Sequence, residues 1–265
     1  MSGTPPVVLT VAGTDSGGAA GIAADLATVG HLGAHGACVV TAVTAQDTLG
    51  VHAVHAVPTD VVAAQLDAVL DDLPVAAVKT GMLGSAEVVR LVAERVGRAG
   101  LPLVVDPVLV ATSGAVLGDA EVVAAYREHL LGWATVATPN VDEAAALAGR
   151  DGTPRDLAGL LVARGFRVLV TGGESGCDLL ALPGRDVVEV AHAPVATDND
   201  HGTGCTHSSA LAAHLAHGLP LAEAAAAAAA YTAGRLAAGR GWRLGRGRGP
   251  VAHTTPVPTD EGAPA

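Results

Sequence analysis

Along most of the chain, short runs of β-branched and aliphatic residues alternate with longer stretches whose apolar positions recur at helical spacing. The short runs predict strands near 7–12, 36–43, 75–79, 102–106, 134–138 and 167–171. The periodic stretches predict helices near 20–32, 60–72, 85–98, 119–131, 141–148 and 155–164. This order is that of an α/β fold, a mainly parallel central sheet with helices on both faces. Residues 177–190, CDLLALPGRDVVEV, depart from it: two apolar runs flank Pro183-Gly184, which predicts a hairpin at one sheet edge. Two further helices, near 204–217 and 221–238, follow. No composition break, long linker or solenoid repeat interrupts the pattern, so a single domain is expected over 1–253, with TTPVPTDEGAPA a disordered tail over 254–265.

Composition narrows the packing and the partners. Half of the 265 residues are apolar but only 2% are aromatic, so the core must be filled by small aliphatic side chains. A net charge of −11 repels polyanions and argues against a nucleic-acid partner. The one basic stretch, RGWRLGRGR at 240–248, carries a single aromatic and reads as a glycine-rich loop. The alanine run at 224–230, flanked by Glu223 and Arg235, predicts a soluble helix and not a membrane span. Cys38, Cys177 and Cys205 show no metal-like pairing and leave one cysteine over in any disulfide scheme. With no basic, apolar leader at the N-terminus, a reducing cytoplasm is expected.

In open parallel sheets, ligands collect beyond the carboxyl ends of the strands. Those ends are polar here: Gly13-Thr14-Asp15, Thr44-Ala45-Gln46, Lys79-Thr80-Gly81, Asp106-Pro107, Thr138-Pro139-Asn140 and Thr171-Gly172-Gly173. The strongest motif is Asp200-His201-Gly202-Thr203-Gly204-Cys205-Thr206, which runs into a helix of small residues. Its glycines let successive amides point outward and the helix start adds its own unpaired N–H groups, together an anion hole suited to a phosphoryl group in flight. The alternative is a glycine-rich helix entry that binds nothing. Cys205 lies where the helix field would lower a thiol pKa, fitting it as a base for a substrate hydroxyl or as a hydrogen-bond partner that positions one.

The first loop, from Gly13 to Gly21, lacks both the GK[ST] ending of a P-loop and the spacing of a dinucleotide fold. Lys79 is the only lysine; its ammonium either serves a phosphate or pairs with a carboxylate, and the ion pair is the preferred reading. Asp106, Asn140 and Glu143 offer oxygen ligands of the kind Mg²⁺ takes through waters, while Asn140 and Glu143 also have capping-box spacing. The histidines are dispersed without a zinc pattern.

Seven segments in order give the chain its resemblance: AGTDSGGAAGIAADL at 12–26, VTAVTAQDTLGV at 40–51, VKTGMLGS at 78–85, VVDPVLVATSG at 104–114, TPNVDEA at 138–144, HGTGCTHSSA at 201–210 and GRGPVAH at 247–253. Together they resemble the hydroxymethylpyrimidine/phosphomethylpyrimidine kinase family of thiamin biosynthesis, from about Val8 to His253. The resemblance implies a ribokinase-like fold, ATP and Mg²⁺, a small pyrimidine substrate and a homodimer. By similarity, Gln46 reads the aminopyrimidine edge, its amide matching a ring nitrogen beside an amino group, with Gly13, Asp25, Met82 and Val108 around the ring. Gly202, Thr203, Gly204 and Cys205 hold the transferring phosphoryl; Asp106, Asn140, Thr171 and Gly173 lie at the nucleotide phosphates; Glu143 and Asp106 serve the metal.

Some positions depart from that family. Thr112 and Thr171 stand where lysine is common, Glu174 where histidine is, Ala23 where glutamine is and Asp47 where asparagine is. Two fewer cations should weaken ATP or monophosphate binding unless Mg²⁺ or arginine compensates, and the second phosphorylation is the more exposed. The competing readings are a vitamin B6 kinase of the same architecture and a non-catalytic pyrimidine-binding protein.

Overall fold

The computed structural model describes residues 3–110, 117–172 and 176–254. Its elements are, in order, β1 (Val7–Ala12), α1 (Gly21–His31), β2 (His35–Val40), β3 (Ala42–Asp47), β4 (Gly50–Ala56), α2 (Thr59–Asp72), β5 (Val75–Thr80), α3 (Ala86–Arg95), β6 (Leu103–Val105), α4 (Ala120–Ala125), β7 (Val136–Ala137), α5 (Val141–Ala148), α6 (Pro154–Ala163), β8 (Val168–Val170), β9 (Cys177–Ala181), β10 (Val188–Ala191), α7 (Thr203–Ala216) and α8 (Leu221–Gly239).

Because successive strand residues face opposite ways, a strand buried on both sides must be apolar throughout. β1 meets that demand, with all six residues buried. Val7, Leu9 and Val11 enter a core shared with α2 to α6, whereas Val8 enters a second core shared with α1, α7 and α8. β6, β8 and β9 repeat the division: Val104, Leu169 and Leu180 join Val8, and their neighbours join Leu9. The sheet has eight strands in the order β10-β9-β8-β7-β6-β5-β1-β2. The pairs from β2 across to β8 are parallel, while β9 runs antiparallel to β8 and to β10. The predicted edge hairpin is therefore β9–β10, turning at Gly184 with φ +70°. The chain moves outward from β1 to β2 and in the other direction from β5 onward, so the order reverses at the β1/β5 boundary. That is where an open sheet opens a crevice.

The strand expected over 36–43 is corrected. β2 stops at Val40, and residues from Ala42 form a separate antiparallel pair, β3–β4, over the carboxyl end of the sheet. The break follows from the residues. Ala42 and Thr44 face inward while Val43 and Ala45 face out, the alternation of a flap with one wet side. Asp47 turns the hairpin by accepting from Leu49 N (2.8 Å) and Gly50 N (3.2 Å). The helix expected over 119–131 changes character midway, since Tyr126–Leu130 forms a π turn that Leu131 N closes onto Tyr126 O at 2.9 Å. Of the expected tail only Thr254 is described; 255–265 lie outside the described residues, as do Thr112 and Glu174.

Candidate functional site

Two adjoining cavities open at the reversal point. The smaller, about 170 Å³, lies between the loop after β1, the flap and the start of α7. The larger, about 810 Å³, runs along α7 and α8 beneath residues 192–197.

The wall nearest the phosphoryl motif is built by close backbone approach. Gly202 has φ +88°, and a Cβ on it would lie 1.8 Å from Ala19 O, so only glycine lets this loop meet the first one. α7 starts at Thr203, and its first i→i−4 bond runs from Thr206 N to Gly202 O (2.9 Å). The amides of Gly204 and Cys205 precede that bond, and both residues line the smaller cavity with Gly202. Thr203 is a correction to the expected set. Its amide donates to Asp200 O (3.1 Å), as does its hydroxyl (2.6 Å), and it lines only the larger cavity. Capping the loop consumes the donor that the anion hole was expected to use.

Cys205 is corrected in its chemistry. Cys205 lines the smaller cavity, and its Sγ accepts from Gly21 N at 3.4 Å. Burial pushes the thiol up to about 12; Lys79 pulls it down, but the carboxylates of Asp25 and Asp106 add to the rise. Desolvation and the two carboxylates oppose the lowering expected at the start of α7, so the thiolate is disfavoured.

Asp25 is likewise corrected. It is fully buried, lines neither cavity, and accepts from Lys79 Nζ (2.7 Å), Ser209 Oγ (2.7 Å) and Thr10 Oγ1 (2.5 Å). Strand alternation explains the position: Thr10 and Lys79 point to the α1/α7 side, away from Leu9 and Val78. Burial alone would lower the Lys79 pKa, but Asp25 and more distant acidic groups hold it above the ordinary lysine value. The lone lysine is thus the preferred ion pair, a brace beneath the site.

The remaining residues expected at the ring lie around one cavity. Gly13, Gln46, Met82 and Val108 all line the smaller cavity. Gln46 arrives on the flap strand β3 and not from the end of a sheet strand, and its amide reaches His201 Nε2 at 3.0 Å. His201 Nε2 also lies 3.2 Å from Asp15 Oδ2. Asp15 gathers the first loop by accepting from Gly17 N (2.8 Å), Ala19 N (3.1 Å) and Ala20 N (2.9 Å). Burial pushes its carboxyl up, but the bonds from His201, Gly17 and Ala20 outweigh this and hold it below the ordinary carboxylate range. Neither Asp15 nor His201 stands out in the sequence, where the glycines of their motifs dominate. The available signal was two ionisable residues inside two backbone-shaped loops.

Asn140, Glu143 and Thr171 line both cavities where they meet, Asp106 lines the smaller one, and Gly173 lies outside the described residues. Asn140 and Glu143 form the expected capping box on α5, through Glu143 N to Asn140 Oδ1 (2.9 Å) and Asn140 N to Glu143 Oε2 (3.0 Å). Burial and the Asp106 charge push Glu143 up to about 8 against the amides of Asn140 and Leu109. Burial also raises Asp106, more than Lys79 and the Ser208 hydroxyl (2.9 Å) lower it. Two buried carboxylates that disfavour each other's charge fit a hard divalent cation, which would relieve both. Among the described residues no group of three or more His, Cys, Asp or Glu side chains forms an all-protein metal cage, so such an ion would keep waters. No lysine or arginine lines either cavity among the described residues.

The comparisons cover this whole arrangement. The sequence profile of the family described as phosphomethylpyrimidine kinase matches residues 15–252. The hydroxymethylpyrimidine/phosphomethylpyrimidine kinase of Rhizobium meliloti is 46% identical over 257 residues, 93% of this chain and 96% of the relative. That of Streptomyces coelicolor is also 46% identical, covering 94% and 95%. Among solved structures, phosphomethylpyrimidine kinase from Clostridium difficile aligns with TM-score 0.74 at 33% identity, covering 86% of this chain and 97% of that one. Pyridoxal kinase from Staphylococcus aureus, in complex with AMP-PCP and pyridoxal, aligns with TM-score 0.84 at 31% identity, covering 95% and 94%. The flap, the α7 entry, the floor carboxylates and the first loop from Asp15 onward all fall within residues 15–252, and the chain belongs to the phosphomethylpyrimidine kinase family.

Proposed function

We propose that this kinase, a unit spanning residues 1–253, transfers the γ-phosphoryl group of ATP to the hydroxymethyl group of 4-amino-5-hydroxymethyl-2-methylpyrimidine, and then phosphorylates the monophosphate, in thiamin biosynthesis. One observation carries the reading: Gln46 and the first turn of α7 wall the same small cavity, so a ring held by the amide puts a substituent within reach of the amides of Gly204 and Cys205.

Phosphoryl transfer passes through a loose transition state, so positioning and charge stabilisation do most of the work. Met82 and Val108 offer apolar surface to the ring and Gln46 its polar edge. The Gly204 and Cys205 amides and the positive end of α7 face the charge that grows on the equatorial oxygens. Asp106 and Glu143 would hold Mg²⁺, largely through waters, and the ion would neutralise phosphate charge where no cationic side chain lines the cavities. The nucleotide occupies the larger cavity, its phosphates towards Asn140 and Thr171. Thr171 offers a hydroxyl 3.5 Å from Pro139 O, so the metal must carry more of the phosphate charge than in a site with lysine there.

The protein acts as a cytoplasmic homodimer. Support comes from three cysteines that form no disulfide and from the exposure of Val43 and Val54 on the flap; sedimentation at micromolar concentration tests the assembly. No helix among the described residues is long and apolar enough to cross a membrane. The likeness to pyridoxal kinase keeps one second reading, phosphorylation of vitamin B6. Incubation with Mg-ATP and either the pyrimidine or pyridoxal, read by product mass, separates the two. Mono- and diphosphates of the pyrimidine are expected; phosphorylation of pyridoxal alone would overturn the substrate assignment.

A further inference from the structure

A side-chain amide presents an acceptor at one end and donors at the other, so Gln46 can read a ring edge in either of two directions. Its neighbours decide which. As placed, Nε2 lies 3.0 Å from His201 Nε2 and Oε1 lies 3.5 Å from Thr44 Oγ1; a half-turn of the amide exchanges the ends at the same positions.

Asp15 is the fixed point of the network. It accepts from three backbone amides, so its oxygens act as acceptors and the facing His201 Nε2 must carry a hydrogen. A Gln46 NH₂ group against that N–H sets donor against donor. On the other side Thr44 Oγ1 spends its hydrogen on Thr14 O at 2.8 Å and offers only lone pairs to Gln46. An amide oxygen there sets acceptor against acceptor. Both conflicts vanish when the NH₂ faces Thr44 and the oxygen faces His201, where the single Nε2–H is shared between Asp15 Oδ2 and the amide oxygen.

The direction has a consequence for chemistry, resting on the aminopyrimidine reading above. In that ring, N3, the amino-bearing C4 and the hydroxymethyl-bearing C5 are consecutive. N3 accepts from the Gln46 NH₂ and the 4-amino group donates to the oxygen. With the oxygen towards His201, the amino group and the hydroxymethyl group beside it lie on the His201 side, where Gly202 and α7 follow. With the amide reversed, the same two hydrogen bonds would aim the hydroxymethyl group towards Thr44, away from the phosphoryl site. We propose that Asp15 and His201 are positioning residues which fix the direction of the Gln46 amide and so select the productive orientation, and the amino-bearing form, of the ring.

The 4-oxo analogue of the substrate tests this, because its N3–H and C4=O need the reversed amide. Steady-state kcat/KM is measured for both compounds with wild type, His201→Phe and His201→Gln, alongside thermal melts. Wild type should prefer the amino compound by about 10⁴-fold, the scale for a site whose buried polar groups are left mispaired. In His201→Phe the amide is free to turn, and the preference should fall to about tenfold or less with kcat for the amino compound also reduced. His201→Gln keeps an N–H near the Nε2 position and should restore most of the discrimination. Asp15→Asn, which can offer His201 a donor and release its tautomer, should relax the preference like His201→Phe and gives an independent reading should the latter fail to fold. A preference unchanged in folded, active His201→Phe and Asp15→Asn proteins overturns the positioning role while leaving the substrate assignment intact. A wild-type protein that phosphorylates pyridoxal but not the aminopyrimidine overturns both.

Discussion

Lys79 and Cys205 show how far a side chain's surroundings decide its use. Both stand at places where a kinase needs charge, yet burial assigns them differently. The Lys79–Asp25 pair has no exposed surface on either side chain, so removing the cation strands a carboxylate held by two hydroxyls in a dry interior. Lys79→Met should cost about 3–5 kcal/mol in urea unfolding, and the double change with Asp25→Leu should recover much of it. A single variant as stable as wild type would mean that water reaches Asp25. Cys205 gives the opposite expectation. With its thiol pushed up by burial, its thiolate is disfavoured near neutrality. Cys205→Ala should therefore keep turnover within about tenfold of wild type, whereas loss of a working general base costs about 10²–10⁴-fold. Steady-state kcat from pH 6 to 9 distinguishes these, and a fall beyond a hundredfold would restore the base assignment.

Elements differ in how openly the sequence states them. The central strands β1, β6, β7 and β8 are runs buried on both faces, and α5 carries its start signal in Asn140-Val141-Asp142-Glu143, so periodicity and capping find them. The flap was hidden because β4, Gly-Val-His-Ala-Val-His-Ala, is mostly exposed and buries no apolar stripe. Its tip is also tied by contacts remote in sequence. Arg246 N and Gly247 N donate to Thr48 Oγ1 at 3.0 and 3.1 Å, and Arg246 pairs with Asp47. Arg248 in turn pairs with Asp200 beside the phosphoryl loop. The glycine-rich stretch therefore ties the flap to the start of α7, which no local pattern announces. The α7 entry was legible, since Gly202-Thr203-Gly204 states a close approach, though not that Thr203 spends its amide on Asp200. Gly202→Ala tests that approach: a Cβ there meets Ala19 O, so the loops must part and the Gly204 and Cys205 amides shift. A loss of about 10²–10³-fold in kcat is expected, the scale for removing one fixed donor to transition-state charge. Near-normal kcat would show that those amides do not face the transferring group.

At the scale of the whole molecule, the reversal of strand order brings distant segments to one floor, and two ligands can share it while touching different walls. Flap residues Thr44 and Gln46 line the smaller cavity and none lines the larger, whereas residues 192–197 and α8 line only the larger. Asp178, held by Gly172 N (2.8 Å) and facing His192 (3.4 Å), belongs to that second wall; lying inside an edge hairpin, it carries no local sequence signal. This division makes the flap's anchor separable from the nucleotide. Thr48→Val removes the oxygen that takes both amides of the C-terminal stretch but keeps the volume of the side chain, so the hairpin tip loosens while the sheet and α8 are unaffected. The pyrimidine KM should rise about three- to tenfold, in line with about 1 kcal/mol for a lost neutral hydrogen bond, and the ATP KM should stay within about twofold. Equal increases in both constants would mean that the flap closes over the two ligands as one lid, and the separate-wall account would be wrong.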